Sequence, residues 1–239
     1  MKQRRPIDTR RSWEVGIRRK DFATLRERPE FHALVALARQ VNLLRYTQGS
    51  ILGGEGKTSP FAKRQSLNSM FLTCSVLFEC YRLVPELARH FRGAPEFVEL
   101  QEWRSDKLVG RYIEQHCEPV RNKATFHVDW DFIGERLRAL DPPFVVFMSS
   151  RGKVAGLNAY DLADFVAVQT LVGPCKDAKE FRERSRRIAA TGARIAKRFL
   201  RGGEALIAAR IEEGPFEARQ ARDTSESESV IRWLSESNA

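Results

Sequence analysis

Residues 121–127 read Arg-Asn-Lys-Ala-Thr-Phe-His, just after Pro119 and just before Trp130 and Asp131. Their types suit one reaction. A histidine with a pKa near 6.5 carries a proton at neutral pH, which fits His127 for general acid–base work. Arg121 is permanently charged and fork-shaped, and so suits phosphate oxygens. Asn122 adds a polar partner beside it. Attack of a ribose 2′-hydroxyl on its neighbouring phosphate needs these two services: removal of the hydroxyl proton and neutralisation of the phosphorane charge. No metal ion is required. A helix beginning near Pro119 would also direct its first N–H groups at the same anion. The competing reading of the same residues is structural. His127, between Phe126 and Val128, would be a core histidine, with Arg121 and Asn122 satisfying helix-end carbonyls.

Spacing sets a condition on the reactive reading. Six positions along a continuous helix amount to about 600° of rotation, which leaves Arg121 and His127 pointing about 120° apart. They converge only across a break in the helix or by meeting the motif of a second copy.

The elements that must position these residues are helices. Phe31, Leu34, Val35, Leu37, Ala38, Val41 and Leu44 recur at three- and four-residue steps and predict a helix over 29–47. The stretch 48–60, Gln-Gly-Ser-Ile-Leu-Gly-Gly-Glu-Gly-Lys-Thr-Ser-Pro, reads as a long flexible loop. Its Gly-Lys-Thr at 56–58 ends like a phosphate-binding loop, G-x-x-x-x-G-K-[ST]. That pattern needs glycine where Ile51 stands, with a hydrophobic strand leading in, so it is set aside. Further helices are predicted over 61–90, with Pro85 bending it or ending it early, and over 95–117, with Glu118–Pro119 as its boundary. After the motif a short helix over 130–140 takes Asp129 or Asp131 as N-cap. Two more follow, over 161–172 and 177–209. Residues 141–160 are the one β-like stretch, and a small hairpin is expected near 143–157. The fold class is therefore mostly α, an antiparallel helical bundle.

Composition limits the function classes. The chain has 239 residues, 42% of them hydrophobic, enough for a real core. No apolar run approaches the ~20 residues that span a bilayer, and no apolar stretch follows the charged first residues. Cys74, Cys80, Cys117 and Cys175 form no CxxC pair and, with four histidines, offer no zinc spacing. No metal or cofactor is expected, and a reduced, cytoplasmic location follows, with the thiols as small buried hydrophobes. The net charge of +10 is uneven: residues 1–28 hold ten Lys/Arg against four Asp/Glu, 176–210 eleven against four, and 212–239 three against seven. This divides the chain into a basic N-terminal arm (1–28), a helical domain (29–211) and an acidic, disordered tail (212–239). A basic body suggests a polyanionic partner, RNA or DNA before anionic lipid.

The helix over 177–209 sharpens that expectation. At 100° per residue, Ile188, Ile195, Phe199 and Leu206 fall on one line from Phe181, while Arg186, Arg187, Arg194, Lys197, Arg198 and Arg201 gather opposite. A one-signed stripe suits phosphate backbones and carries no sequence information by itself. Arg187, Arg194, Arg198 and Arg201 are its candidate RNA contacts; an ordinary solvated face is the competing reading.

The Arg-Asn-Lys-Ala-Thr-Phe-His stretch resembles the signature of the HEPN superfamily, R-x(4–6)-H with a polar residue, often Asn, after the Arg. HEPN domains are helical bundles that carry this motif at or before a late helix, and three predicted helices precede it here. The resemblance covers about residues 31–140. It implies a metal-independent endoribonuclease of the toxin or host-defence type, with His127 as general acid/base, Arg121 as phosphate stabiliser and Asn122 beside them, leaving 2′,3′-cyclic phosphate ends. It also implies a homodimer that brings two motifs together, and an antitoxin partner. The alternative is a non-catalytic RNA-binding or scaffolding helical module.

Overall fold

A computed structural model of the chain describes residues 13–54, 60–122, 130–138 and 161–220. Its order is β1 (Trp13–Ile17), α1 (Arg19–Leu25), α2 (Pro29–Gly54), α3 (Pro60–Phe91), a 3-10 turn at Pro95–Phe97, α4 (Val98–Ser105) and α5 (Lys107–Tyr112). A π turn at Ile113–Cys117, α6 (Glu118–Val120), α7 (Trp130–Arg138), α8 (Asp161–Val172), α9 (Ala178–Glu213) and β2 (Phe216–Gln220) complete it. The fold is mostly α with one small antiparallel sheet. Two compact units result, Pro29–Ile207 and Met1–Arg28 with Ala208–Ala239.

In the larger unit α2 packs extensively on α3. The five residues between them reach at most about 20 Å, whereas helices of 26 and 32 residues extend about 39 and 48 Å. The two helices must therefore run antiparallel. Leu37 and Leu44 of α2 meet Leu77 and Leu87 of α3 in a core where all four are fully buried. The buried hydroxyls of Thr73 and Ser75 return to the carbonyls of Ser69 and Phe71 at 2.7 and 3.0 Å, so neither of the two is stranded.

Four expected boundaries are corrected. The loop at 48–60 begins later than composition suggests, because α2 runs to Gly54. Its last turns are extended by the apolar, packed body of the helix, which outweighs roughly 1 kcal/mol per glycine. Pro85 does not end α3, which continues to Phe91. Proline lacks the N–H that would bond the Tyr81 carbonyl; Arg104 Nε donates to that oxygen instead, at 3.1 Å, with its guanidinium 3.4 Å from the centre of the Tyr81 ring. The helix over 95–117 is broken at Asp106, whose Oδ1 caps α5 by accepting from Leu108 N at 2.8 Å. Glu118–Pro119 is not a boundary either, since helical backbone continues through Asn122. The π turn before it bonds Glu118 N–H to the Ile113 carbonyl, and Pro119 is carried inside this helical run as the second residue of α6.

In the smaller unit, residues read as an arm and a tail pair with each other. β1 and β2 are antiparallel, with Trp13 opposite Gln220 and Ile17 opposite Phe216, and Arg18 pairs with Glu217. Sequence separation hides such a sheet, because each strand alone is five residues of mixed character. The hairpin expected near 143–157, the Gly-Lys-Thr at 56–58, and residues 1–12 and 221–239 lie outside the described residues.

α9 completes the larger core by close approach to the α4–α5 segment. Trp103 Nε1 donates to the Ile195 carbonyl at 2.9 Å, and its ring meets Phe199 edge-on at 5.1 Å between centroids. The Tyr112 hydroxyl donates to the Ile188 carbonyl at 3.1 Å. This is possible because residue 192 is glycine: a Cβ there would collide with the Tyr112 hydroxyl. Gly192→Ala should therefore destabilise the fold by about 1–3 kcal/mol, the range for an overpacked core. Tyr112→Phe in the same chain should recover part of that loss, because it removes the atom in collision. Urea unfolding of the two single variants and the double variant checks this; additive losses would contradict the proposed collision.

Candidate functional site

The π turn and α6 deliver Arg121 and Asn122 to the flank of α3. An extra residue per turn rotates everything downstream by about 100° relative to a regular helix. Val120 is thereby fully buried, and Arg121 and Asn122 are left half-buried. Arg121 Nε donates to Glu79 Oε1 at 3.3 Å, Nη1 donates to Asn122 Oδ1 at 3.1 Å, and the guanidinium carbon lies 5.7 Å from the centre of the Phe78 ring. A guanidinium has five N–H donors. Among the described residues these contacts engage one on Nε and one on Nη1, so three remain for an anion. The Arg121 side chain is 29% exposed and that of Glu79 40%, so their ion pair orients the guanidinium and contributes well under about 1 kcal/mol. Arg121 and Asn122 are thus brought together, whereas His127 lies outside the described residues. Trp130, which opens α7, is 78% exposed.

The stripe on α9 divides in two. Ile188, Ile195, Phe199 and Leu206 are buried, as their spacing requires. On the opposite face, Arg198 is bound by Asp106 and Arg201 by Glu99. The Arg198 hydrogen bond holds the Asp106 carboxyl below its ordinary range, helped by the Leu108 N–H. Glu99 raises Arg201 in turn, first through its hydrogen bond and then by charge. No acid of the described residues pairs with the exposed Arg187 or Arg194. The stripe is therefore part structural clamp and part open cationic face.

A cleft that sequence reasoning missed opens beside Pro119. It encloses about 310 Å³ between the π turn, α7 and the end of α8, with Gln115, His116, Phe132, Glu135, Arg136 and Gln169 among its walls. Gly173, at φ +75°, closes α8 by returning its N–H to the Gln169 carbonyl at 2.9 Å. Asp177 then caps α9, accepting from the N–H groups of Lys179 and Glu180 at 2.8 Å each, while Glu180 Oε2 accepts from Lys176 N. The turn between the helices is thereby fixed. His116 Nδ1 lies 3.0 Å from the Leu171 carbonyl. A carbonyl only accepts, so Nδ1 carries the hydrogen and Nε2 keeps its lone pair. Burial pushes His116 below its ordinary pKa, opposed by the Leu171 contact. The only sequence signal was a second histidine five residues before Arg121; the π turn that aims it is invisible to periodicity.

Two of the thiols, Cys80 and Cys117, are held in the unreactive protonated form. Cys74, Cys80 and Cys117 are buried and unpaired as disulfides, and burial drives Cys80 and Cys117 well above the ordinary thiol range. No described helix is long and apolar enough to cross a membrane. No family model matches the chain, no curated protein matches it, and no solved structure matches its fold.

Two outcomes follow from this geometry. If the chain binds single-stranded RNA, neutralising Arg187 and Arg194 together should flatten the plot of log affinity against log salt by about 1.4, at ~0.7 per phosphate contact. Neutralising Arg198 and Arg201 should change it less, because Asp106 and Glu99 already hold those charges. Equal effects from the two pairs would contradict the division of the stripe. An NMR titration should place His116 below 6.5 with the hydrogen on Nδ1. The unfolded chain then takes up its proton first, so stability falls as the pH drops from about 6.5 toward the folded-state value. A midpoint above 6.5 would contradict the desolvation argument.

Proposed function

We propose that the chain is a HEPN-like, metal-independent endoribonuclease. The observation that carries this reading is Arg121 itself, a half-buried guanidinium oriented by Glu79, Phe78 and Asn122, with three N–H donors that no described residue engages. In this proposal Arg121 grips a phosphate of RNA and neutralises the charge that develops as the 2′-hydroxyl attacks. Asn122 holds the guanidinium in register. His127 takes the hydroxyl proton and returns one to the leaving 5′-oxygen. The exposed indole of Trp130 offers a stacking surface for a neighbouring base. The open part of the α9 stripe, Arg187 and Arg194, supplies non-specific affinity. A homodimer that pairs two motifs and an antitoxin partner that silences them belong to the same proposal, on the HEPN resemblance.

The second reading is a non-catalytic RNA-binding or scaffolding module, and one observation favours it. Glu79 neutralises part of the charge that Arg121 would offer a phosphate, as an ion pair of purely structural purpose would. Variants separate the two. His127→Ala should abolish cleavage of single-stranded RNA while leaving binding nearly intact. Arg121→Ala should lose turnover and some affinity, because its charge acts in ground and transition states alike. Glu79→Gln should tighten RNA binding by releasing the Arg121 charge, and added chelator should change nothing. Cleavage that survives His127→Ala in a folded chain would mean the wrong proton carrier has been chosen. Binding without cleavage across varied RNAs, with Glu79→Gln silent, would establish the module reading.

A further inference from the structure

The cleft beside His116 has a donor on one wall and an acceptor on another, and each lacks a counterpart. Arg136 Nε is buried with no hydrogen-bond partner among the described residues. Its guanidinium lies over the Phe132 ring at 5.1 Å, and its described ion pair, with Glu135, is a loose 3.8 Å. A buried N–H without an acceptor is a standing cost, which a turn of the guanidinium onto a ligand oxygen in the cleft would remove. Opposite in character, His116 has its Nδ1–H committed to the Leu171 carbonyl, which leaves Nε2 to accept. The amides of Gln115 and Gln169 and the Glu135 carboxylate add further polar lining. At about 310 Å³ the space matches the small end of ligand sites and suits one flat heterocycle, not a duplex or a peptide.

We propose that this cleft receives a single nucleobase whose edge carries a carbonyl beside a ring N–H, that is guanine or uracil. The carbonyl accepts from Arg136, and the ring N–H donates to His116 Nε2. Adenine and cytosine present a ring-nitrogen lone pair where guanine and uracil present the N–H, so they set lone pair against lone pair at His116. For guanine the exocyclic amine gains an acceptor in Glu135. The base arrives either on a free nucleoside or splayed out of single-stranded RNA, where unstacked bases are read on their Watson–Crick edges. In the RNA case the cleft deepens the function proposed above, giving the chain a base preference that the α9 stripe lacks. It then rests on that reading; the free-nucleoside case does not.

The test is binding, measured without turnover on the full chain. Guanosine, uridine, adenosine and cytidine are titrated by calorimetry, followed by short single-stranded oligonucleotides of uridine or of adenosine. Guanosine and uridine should bind about tenfold or more tighter than the other two nucleosides, or the uridine oligonucleotide should show the same preference over adenosine. Preference for the free nucleosides assigns the cleft to a soluble ligand; preference confined to oligonucleotides assigns it to RNA. Arg136→Met should weaken guanosine and uridine binding about tenfold, by loss of the carbonyl contact, and leave the contrast between uridine and cytidine, which His116 sets, in place, with far-UV circular dichroism as the check on folding. Should that variant not fold, the His116 Nε2 resonance of the unsubstituted chain takes its place, and it should move on addition of the preferred ligand. No discrimination in either series, or a preference with His116 Nε2 unmoved, overturns the proposal. Because cleavage is never read, loss of the nuclease proposal and loss of this one are separate results.

Discussion

The larger unit depends on how closely α9 can lie against the interrupted helix of residues 95–122. Two side chains of that segment, Trp103 and Tyr112, spend their only polar hydrogens on α9 carbonyls, those of Ile195 and Ile188. Neither bond forms unless the helix backbone comes within reach, and Gly192 leaves the room for it. Gly202 and Gly203 do the same against Leu100 and Val41. Glycines inside a helix weaken it locally by about 1 kcal/mol each. Here they permit contacts that bury Trp103, Phe199 and Ile195 almost completely. The same docking decides which arginines of α9 meet Asp106 and Glu99 and which remain open.

From that contact the site follows. With α4 and α5 held between α3 and α9, the helix has to pass Pro119 and still bury Val120, and the π turn at Ile113–Cys117 supplies the change of phase. One consequence is Arg121 against Glu79 and Phe78. Another is His116 turned toward Leu171 at the edge of a cleft. π turns of this kind recur at functional sites because they aim side chains that a regular helix would point elsewhere. The electrostatics are balanced rather than simply positive: Glu79, Asp106 and Glu99 each restrain an arginine that charge counting alone would assign to a polyanion.

Much of the helical architecture was legible in the sequence, because the apolar positions of α2, α3 and α9 repeat at helical steps and packing enforces them. What periodicity could not reach was set by tertiary contact. Pro85 is tolerated because Arg104, nineteen residues later, replaces the lost donor to Tyr81. Residues 48–54 stay helical despite their glycines. β1 and β2 find each other across almost the whole chain. At the site, Arg121 and Asn122 were legible by type and order. Their partner Glu79 was not, since nothing local marks a carboxylate forty-two residues upstream. Of the arginines named on α9, sequence gave their common face but not the acids that divide it.

The proposed attack by the RNA's own 2′-hydroxyl, promoted by Arg121 and His127, leaves its signature in the chemistry of the product ends. Mass spectrometry of single-stranded RNA incubated with the purified chain should find 2′,3′-cyclic phosphates paired with 5′-hydroxyls, because the attacking oxygen remains on the upstream ribose. Products ending in 3′-hydroxyls and 5′-phosphates would mean that water, not the 2′-hydroxyl, was the nucleophile, and would contradict the mechanism.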